Sequence, residues 1–515
     1  MRRYVIINFF FVLFYVISSC LVFPATIIVN PGQSIQSAID SATNNDEIIV
    51  NPGTYNENLQ FKGKNIILRS SNPDDPSIVA TTIIHANTPY ATIFFNGAEL
   101  ATCLLSGFTI TNGYSVLGGG ICGNSSGTGS GTQATIRNNV IDDNITYGSI
   151  PYSKGGGIWN CDGLIENNII SNNKNTGYNG NGAGIAECDG HIIGNIIINN
   201  ESTGTQSKGG GLYNCQGLIE NNIITNNIAT QSLGEGAGLY YCNGTIQNNI
   251  VSYNIAKYGA GLSYCTGIIQ NNTIYSNQAT DYYGGGLSLC NGTITNNIIW
   301  GNTAPSDPQI YYSSYPTYSC VEGGVYGTGN ISANPQLVDP DGADNDPATY
   351  ADNNFHLVTD SPCIDAGSLI ASLTEDFEGD SRGFDGYSGT RGDGSDYDIG
   401  ADEYIPTGIT VVAPNGSETW WIGSNYDITW TSSGDVGSSL RITLYKGGVF
   451  YSSITGDTPN DGSHPWTIPS SITPGSDYKI RITSNSNGTY YDLSDSYFTI
   501  TIKTTSVPIQ CWGLY

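Results

Sequence analysis

Residues 209–227 read GGGLYNCQGLIENNIITNN. Nearly the same line stands at 155–173, GGGIWNCDGLIENNIISNN, and at 236–254, GAGLYYCNGTIQNNIVSYN. Aligned on their glycine triplets, the lines begin at Gly155, Gly182, Gly209, Gly236, Gly259 and Gly284, at spacings of 27, 27, 27, 23 and 25 residues. One column then carries Cys161, Cys188, Cys215, Cys242, Cys265 and Cys290. A second carries Asn168, Asn195, Asn222, Asn249, Asn272 and Asn297, and a third Asn173, Asn200, Asn227, Asn254, Asn277 and Asn302. Self-similarity at this period is the signature of a solenoid.

Each repeat holds short β-branched pieces, such as GLIE and NIIS, separated by Asn and Gly. Apolar residues do not recur at helical spacing, and no leucine ladder is present. Short strands broken by turn residues once per coil predict a parallel β-helix, with coils about 4.8 Å apart. Ile165, Ile192, Ile219, Ile246, Ile269 and Ile294 are then an inward aliphatic ladder. The asparagine columns are placed at bends, where Asn tolerates left-handed geometry and its amide can bond to the next coil.

The cysteine column has two readings. Stacked coils bring Cα atoms within disulfide range, and exported proteins keep disulfides. In-register side chains on parallel strands point the same way, however, which suits the bridge dihedral poorly. The reading favours a ladder of buried thiols, each a small hydrophobe. Zinc is not indicated, because no histidine accompanies the column and the spacing is wrong.

The chain has 515 residues, with 44 acidic against 17 basic side chains and a net charge of -27. A nucleic-acid partner needs a basic footprint, which is missing. Acidic polysaccharides are repelled unless a cation such as Ca²⁺ bridges them. Of the 44 acidic residues, 17 lie between Asp339 and Glu403, beside only Arg382 and Arg391. At the N-terminus, Arg2 and Arg3 precede an apolar run and then Ser18, Ser19 and Cys20. This is the pattern of an export signal. ISSC (17–20) also resembles a bacterial lipobox with Cys20 as the lipidated residue, and a retained anchor helix is the third option. Any membrane contact is through this segment.

GQSIQSAIDSATNNDEIIVNPGTYNENL (32–59) resembles the opening of pectin-lyase-like right-handed β-helix proteins. Within it, Ile35, Ala38, Ile39 and Ala42 share one face of a short helix that caps the open end of the core. LSGFTITNG (105–113) resembles an early coil, and NNIIWGNTAPSDPQIYYSS (296–314) a late one. SPCIDAG (361–367) and DIGADEY (398–404) resemble the closing motif of bacterial surface β-helix proteins of the choice-of-anchor type. The resemblance spans roughly residues 26–404. It is specific for fold and weak for activity, since the fold hosts lyases, hydrolases and adhesins.

After Tyr404 the text changes. Alternating strands are predicted at 409–414, 426–432, 440–448, 464–469, 478–484 and 497–500, giving a small antiparallel sandwich. PNGSETWWIGSNYDITWTSSG (414–434) resembles the Ig-like module of the Ser/Thr-rich cell-wall family, which implies a spacer or attachment module. Trp420, Trp421 and Trp430 are candidate sugar-binding or core aromatics. The resulting boundaries are 1–25 signal or anchor, 26–335 β-helix with its cap, 336–404 acidic closing segment, 405–407 linker, 408–502 sandwich and 503–515 tail.

Lyases of the resembled fold pair carboxylate-bound Ca²⁺ with a basic side chain. The coils from 155 to 302 contain no Arg, and their Lys174, Lys208 and Lys257 fall in variable loops. Hydrolases need close carboxylates; Asp142 and Asp143 are adjacent, so on a strand they face opposite sides. His191 reads as an isolated surface residue. A stronger signal is the position after the inward hydrophobe of each triplet, where Trp159, Tyr213 and Tyr240 form an outward aromatic stripe. Asn160, Asn214, Tyr241 and Tyr264 lie beside it. Aromatics and amides on one sheet face suit a polysaccharide. Asp339, Asp341, Asp344 and Asp346 in DPDGADNDP (339–347) are candidate Ca²⁺ ligands; no cofactor is otherwise required. The sequence thus predicts an all-β, exported or cell-surface monomer. It is non-enzymatic and structural, adhesive or carbohydrate-binding, with a polysaccharide lyase or glycoside hydrolase as the alternative.

Overall fold

The computed structural model describes residues 24–124, 129–148, 153–347, 349–434 and 436–503. The export or anchor segment, Cys20 and the tail beyond residue 503 lie outside the described residues. The chain is all-β: a parallel β-solenoid of about nine turns, followed by antiparallel sheets. It divides into two compact units, Met1–Gly244 with Asn254–Cys265, and Thr245–Tyr253 with Thr266–Tyr515.

The first unit opens with helix Ile35–Ser41. Ser34 caps it by accepting the Ser37 N–H, and Ile35, Ala38 and Ile39 are buried. Glu57 accepts hydrogen bonds from the Ile35 and Gln36 N–H groups and from the Ser34 hydroxyl. It therefore saturates the first turn from the next coil. Parallel strands follow in four stacked columns. One runs from Thr26–Val29 through Leu164–Glu166 to Leu218–Glu220, with Ile136, Ile165, Ile192 and Ile219 in register. These isoleucines are fully buried while their strand neighbours are part-exposed, as a period of two requires.

The second unit continues the pattern. Ile246, Ile269 and Ile294 are in register, and strands Ile250–Ser252, Thr273–Tyr275, Ile298–Trp300 and Cys320–Val321 stack in parallel. Leu337–Asp339 and Asn354–Leu357 then form an antiparallel pair. The Ig-like part has a three-stranded sheet of Gly408–Ala413, Asn425–Ser433 and Ser463–Thr467, opposite a larger sheet. In that larger sheet Thr419–Trp421 pairs with Phe498–Thr501 in parallel, departing from the all-antiparallel expectation. Val449–Pro459 is a strand the sequence reading missed; it is mostly exposed and polar, so it lacks the apolar alternation. Trp420 and Trp430 are core residues, and Trp421 is exposed.

The asparagine columns differ in one respect from their expected geometry. The left-handed residue is the one before each column member: Asn167, Asn172, Asn199, Asn221 and Asn226 have φ between 53° and 56°. The column asparagines themselves are buried and bonded. Asn173 donates its N–H and its amide to Asn200 Oδ1, and Asn200 does the same to Asn227. The amides also reach backbone carbonyls of the preceding coil, as Asn200 does to Ile170. Burial without this network would leave several polar groups unpaired at every corner.

The first glycine of each triplet is also left-handed; at Gly209 φ is 64°, and a Cβ there would stand 2.4 Å from the Leu212 carbonyl oxygen.

The acidic closing segment buries some of its charges, among them Asp376, Asp398, Asp402 and Glu403, together with Arg382. Arg382 and Glu403 pair at 3.4 Å with neither side chain exposed. Arg382 also donates to Asn248 Oδ1 and to the Gly400 and Ala401 carbonyls. Asp376 Oδ1 accepts the N–H groups of Glu378, Gly379 and Asp380, and its Oδ2 accepts that of Glu403. Burial, and then Glu403, holds Asp398 well above the usual carboxylate range.

Candidate functional site

The aromatic column lies on short strands whose alternate residue faces the interior. Ile158, Ile185, Leu212 and Leu239 are fully buried in the core. The following residues stack in register in the order Phe94, Cys122, Trp159, Ala186, Tyr213 and Tyr240.

This column is not the open stripe expected. Trp159 is only 4% exposed: it packs with Ala91, Cys122 and Ala186, and its indole N–H donates to Glu187 at 3.0 Å. Glu187 in turn pairs with Lys154. Tyr240 is buried under Tyr213, whose ring lies parallel at 5.8 Å, and Lys208 donates to its hydroxyl at 2.8 Å. The outward direction holds, but large side chains one coil apart cover one another, and flanking Lys–Glu pairs close over them. Tyr213 alone of the three remains part-exposed.

Surface aromatics appear one residue further on, at the corner that ends each of these strands. That corner holds Asn160, Glu187, Asn214, Tyr241 and Tyr264 in the first unit and Leu289 and Tyr312 in the second, all at positive φ between 41° and 56°. Asn suits this conformation; a large side chain costs about 1 kcal/mol or more there. Tyr241 is 48% exposed and Tyr312 is 76% exposed. Each has a ring behind it: Tyr240 at 6.4 Å for Tyr241, and Tyr311 at 4.7 Å for Tyr312. Tyr311 is itself stacked on Tyr283 at 3.6 Å. Left-handed Tyr253, by contrast, packs against Phe355 and Ala401 and bonds to the Pro340 carbonyl.

The first coils carry a groove of about 780 Å³ lined by Asn58, Gln60, Asn87, Tyr90, Phe94 and Asn96. The Asn58 amide is committed to backbone, donating to Ala91 and accepting from Asn87 and Thr88. Tyr90 is the exposed ring there.

The cysteine column forms a regular array. The ten described cysteines form no disulfide and are buried. Each column thiol donates to the carbonyl two residues before it, as Cys161 does to Trp159 and Cys290 to Ser288. The Cys161 N–H also donates to Cys188 Sγ at 3.2 Å. Burial raises the Cys188, Cys215 and Cys242 thiols well above their ordinary value.

Other candidates fall into place around this. His191 is not isolated: its Nε2 lies 2.8 Å from Glu220. Asp142 accepts from the Ser171 hydroxyl and the Asn172 amide, so its carboxylate is already engaged in the coil stack. Asp339, Asp341, Asp344 and Asp346 are not among the groups whose ligand atoms converge within 4.8 Å among the described residues. Those converging groups are His356, Glu378 and Asp402, and Asp365, Asp385 and Asp396. In the second group Asp365 is spent on the Gly386 and Tyr387 N–H groups. Sequence reasoning missed the first because its members are 22 and 24 residues apart.

Residues 413–500 match the family of Kre9/KNH-like N-terminal Ig-like domains. No curated protein and no solved structure matches the chain. A β-solenoid joined to such a domain suggests a cell-surface structural protein.

Proposed function

We propose that this is an exported surface protein whose solenoid holds neutral glycan against corner tyrosines, and whose Ig-like domain serves as spacer or attachment module. The observation that carries the reading is the choice of residue at one repeated corner. Tyr241, Tyr264 and Tyr312 stand in left-handed backbone where the equivalent residues of other coils are Asn160, Glu187, Asn214 and Leu289. The strain gains no core packing at Tyr241 or Tyr312, which remain exposed. Strain that serves no packing marks a functional position, and a solvent-facing ring with a second ring behind it suits a sugar face. Each stack contributes about 1 kcal/mol, so binding at any single corner is weak. The net charge of -27 disfavours acidic glycans.

The test is co-sedimentation with insoluble cellulose, chitin and β-1,3-glucan, comparing the native chain with the triple variant Tyr241→Asn, Tyr264→Asn and Tyr312→Asn. Asn relaxes the corner while removing the rings, so folding is preserved. Native protein should bind at least one of these glycans, and the variant should lose most of that binding. Equal binding by both, or none by the native chain, overturns the reading.

A further inference from the structure

Within the second unit, three side chains from separate stretches converge. His356 comes from strand Asn354–Leu357, Glu378 from the turn held by Asp376, and Asp402 from the run 398–404. One ligand atom of each lies within 4.8 Å of the others. His356 Nε2 is 3.5 Å from Glu378 Oε1 and 3.9 Å from Asp402 Oδ1, both too long for hydrogen bonds.

Each group is oriented from behind. Asn354 Oδ1 accepts the His356 backbone N–H at 3.0 Å and lies 2.7 Å from His356 Nδ1. An oxygen already accepting one N–H identifies the amide orientation, so Nδ1 is the protonated nitrogen. In the neutral ring this tautomer presents the Nε2 lone pair to the two carboxylates. The Leu357 N–H donates to Asp402 Oδ2 at 2.8 Å. That leaves Oδ1 aimed at the imidazole, with no hydrogen bond, on a side chain only 10% exposed. With the carboxylates ionised and the imidazole neutral, all three groups offer lone pairs to one place, a donor set that a bound cation would satisfy. Fixing the histidine tautomer through its other nitrogen is how proteins orient a metal-bound imidazole.

We infer that His356, Glu378 and Asp402 form a site for a divalent ion of the zinc class. Imidazole with two carboxylates suits zinc and its neighbours, whereas Ca²⁺ asks for six to eight oxygens. A cavity of about 640 Å³ lined by His356, Glu378, Asp380 and Asp402 leaves room for water as a further ligand. An ion here ties three stretches of the closing segment together, so binding would add to its stability.

The experiment is titration of metal-free, reduced full-length protein with Zn²⁺ and with Ca²⁺, together with the visible spectrum of its Co²⁺ form. One equivalent of Zn²⁺ is expected, with Ca²⁺ at least tenfold weaker. The Co²⁺ spectrum should show ligand-field bands without thiolate charge transfer, which separates this site from the cysteines. Both His356→Ala and Glu378→Gln should weaken Zn²⁺ at least tenfold, while Asp344→Asn with Asp346→Asn should not. Glu378→Gln serves if His356→Ala fails to fold, since 38% of the Glu378 side chain is in solvent. Absence of stoichiometric Zn²⁺, unchanged affinity in the folded variants, or a thiolate band on cobalt overturns the inference.

Discussion

Asn195 Oδ1 accepts two hydrogen bonds from Asn168, one from its backbone N–H at 2.9 Å and one from its side-chain amide at 3.0 Å. Asn195 passes the same pair on to Asn222 and donates to the Ile165 and Ile193 carbonyls. A single side chain thereby satisfies groups in three successive coils. Asn195→Ala strands buried donors and acceptors that water cannot reach, at a cost on the order of 3 kcal/mol. Asn195→Asp should be at least as harmful, because it replaces a donor with a buried charge. Chemical denaturation of the two variants checks this; a loss within 0.5 kcal/mol, about the scatter of ordinary surface changes, would dismiss the ladder as a stabilising device.

The corner residues test backbone preference separately from side-chain bonding. Asn199 is exposed and has a φ of 56°. Asn199→Val should destabilise by about 1–2 kcal/mol, since a β-branched side chain is disfavoured there, while Asn199→Gly should be nearly neutral. Equal melting temperatures for the two variants would contradict the left-handed assignment.

Trp159→Ala should act on stability, not recognition. The indole is buried and bonded to Glu187, so its removal is expected to cost about 3–5 kcal/mol. Thermal unfolding should show this as a clear drop. Unchanged stability together with lost glycan binding would restore Trp159 as an exposed platform.

The thiols give a pH prediction. Burial pushes Cys103 and Cys122 up to about 12. Between their ordinary value near 9.0 and about 12, the unfolded chain loses these protons and the folded chain keeps them. Unfolding then releases protons, so stability falls as pH rises through that window and is fully present below it. Native protein at pH 8.5 should resist a thiol-alkylating reagent, and denatured protein should react, a contrast that mass spectrometry can follow. Rapid labelling of Cys103 or Cys122 in the native state would refute their burial.

Arg382 should be the most sensitive position of the closing segment. Arg382→Met leaves Asn248 Oδ1 and two carbonyls without this donor and removes the counter-charge of Glu403, which keeps only the Gly383, Phe384 and Asp398 N–H groups, a loss of about 3–5 kcal/mol. The double variant Arg382→Met with Glu403→Gln should recover part of it, because the uncompensated charge is gone while an amide oxygen still accepts the Gly383 and Phe384 N–H groups. Comparing the onset of proteolysis within 376–404 across the two variants is the check; identical onset to the native chain would mean that the pair does not hold the segment.

The sequence by itself determined the solenoid. A 27-residue period with fixed Gly, Asn, Cys and Ile columns can be satisfied only if equivalent residues stack, because each short strand finds its hydrogen-bond partners in neighbouring coils. The buried Ile165–Ile192–Ile219 register and the Ser34-capped helix follow from that local repetition. Tertiary structure alone decided which outward side chains meet solvent. Trp159 and Tyr240 face away from the core, yet Glu187 and Lys208 from flanking positions bond to them and neighbouring rings cover them. It also decided which acids of the closing segment are buried, where Arg382 pairs with Glu403 and Asp376 accepts backbone N–H groups, while His356, Glu378 and Asp402 meet. Alternation along a strand fixes a side chain's direction, which is local. Exposure and convergence depend on what residues tens of positions away place over it, and no period in the sequence carries that information.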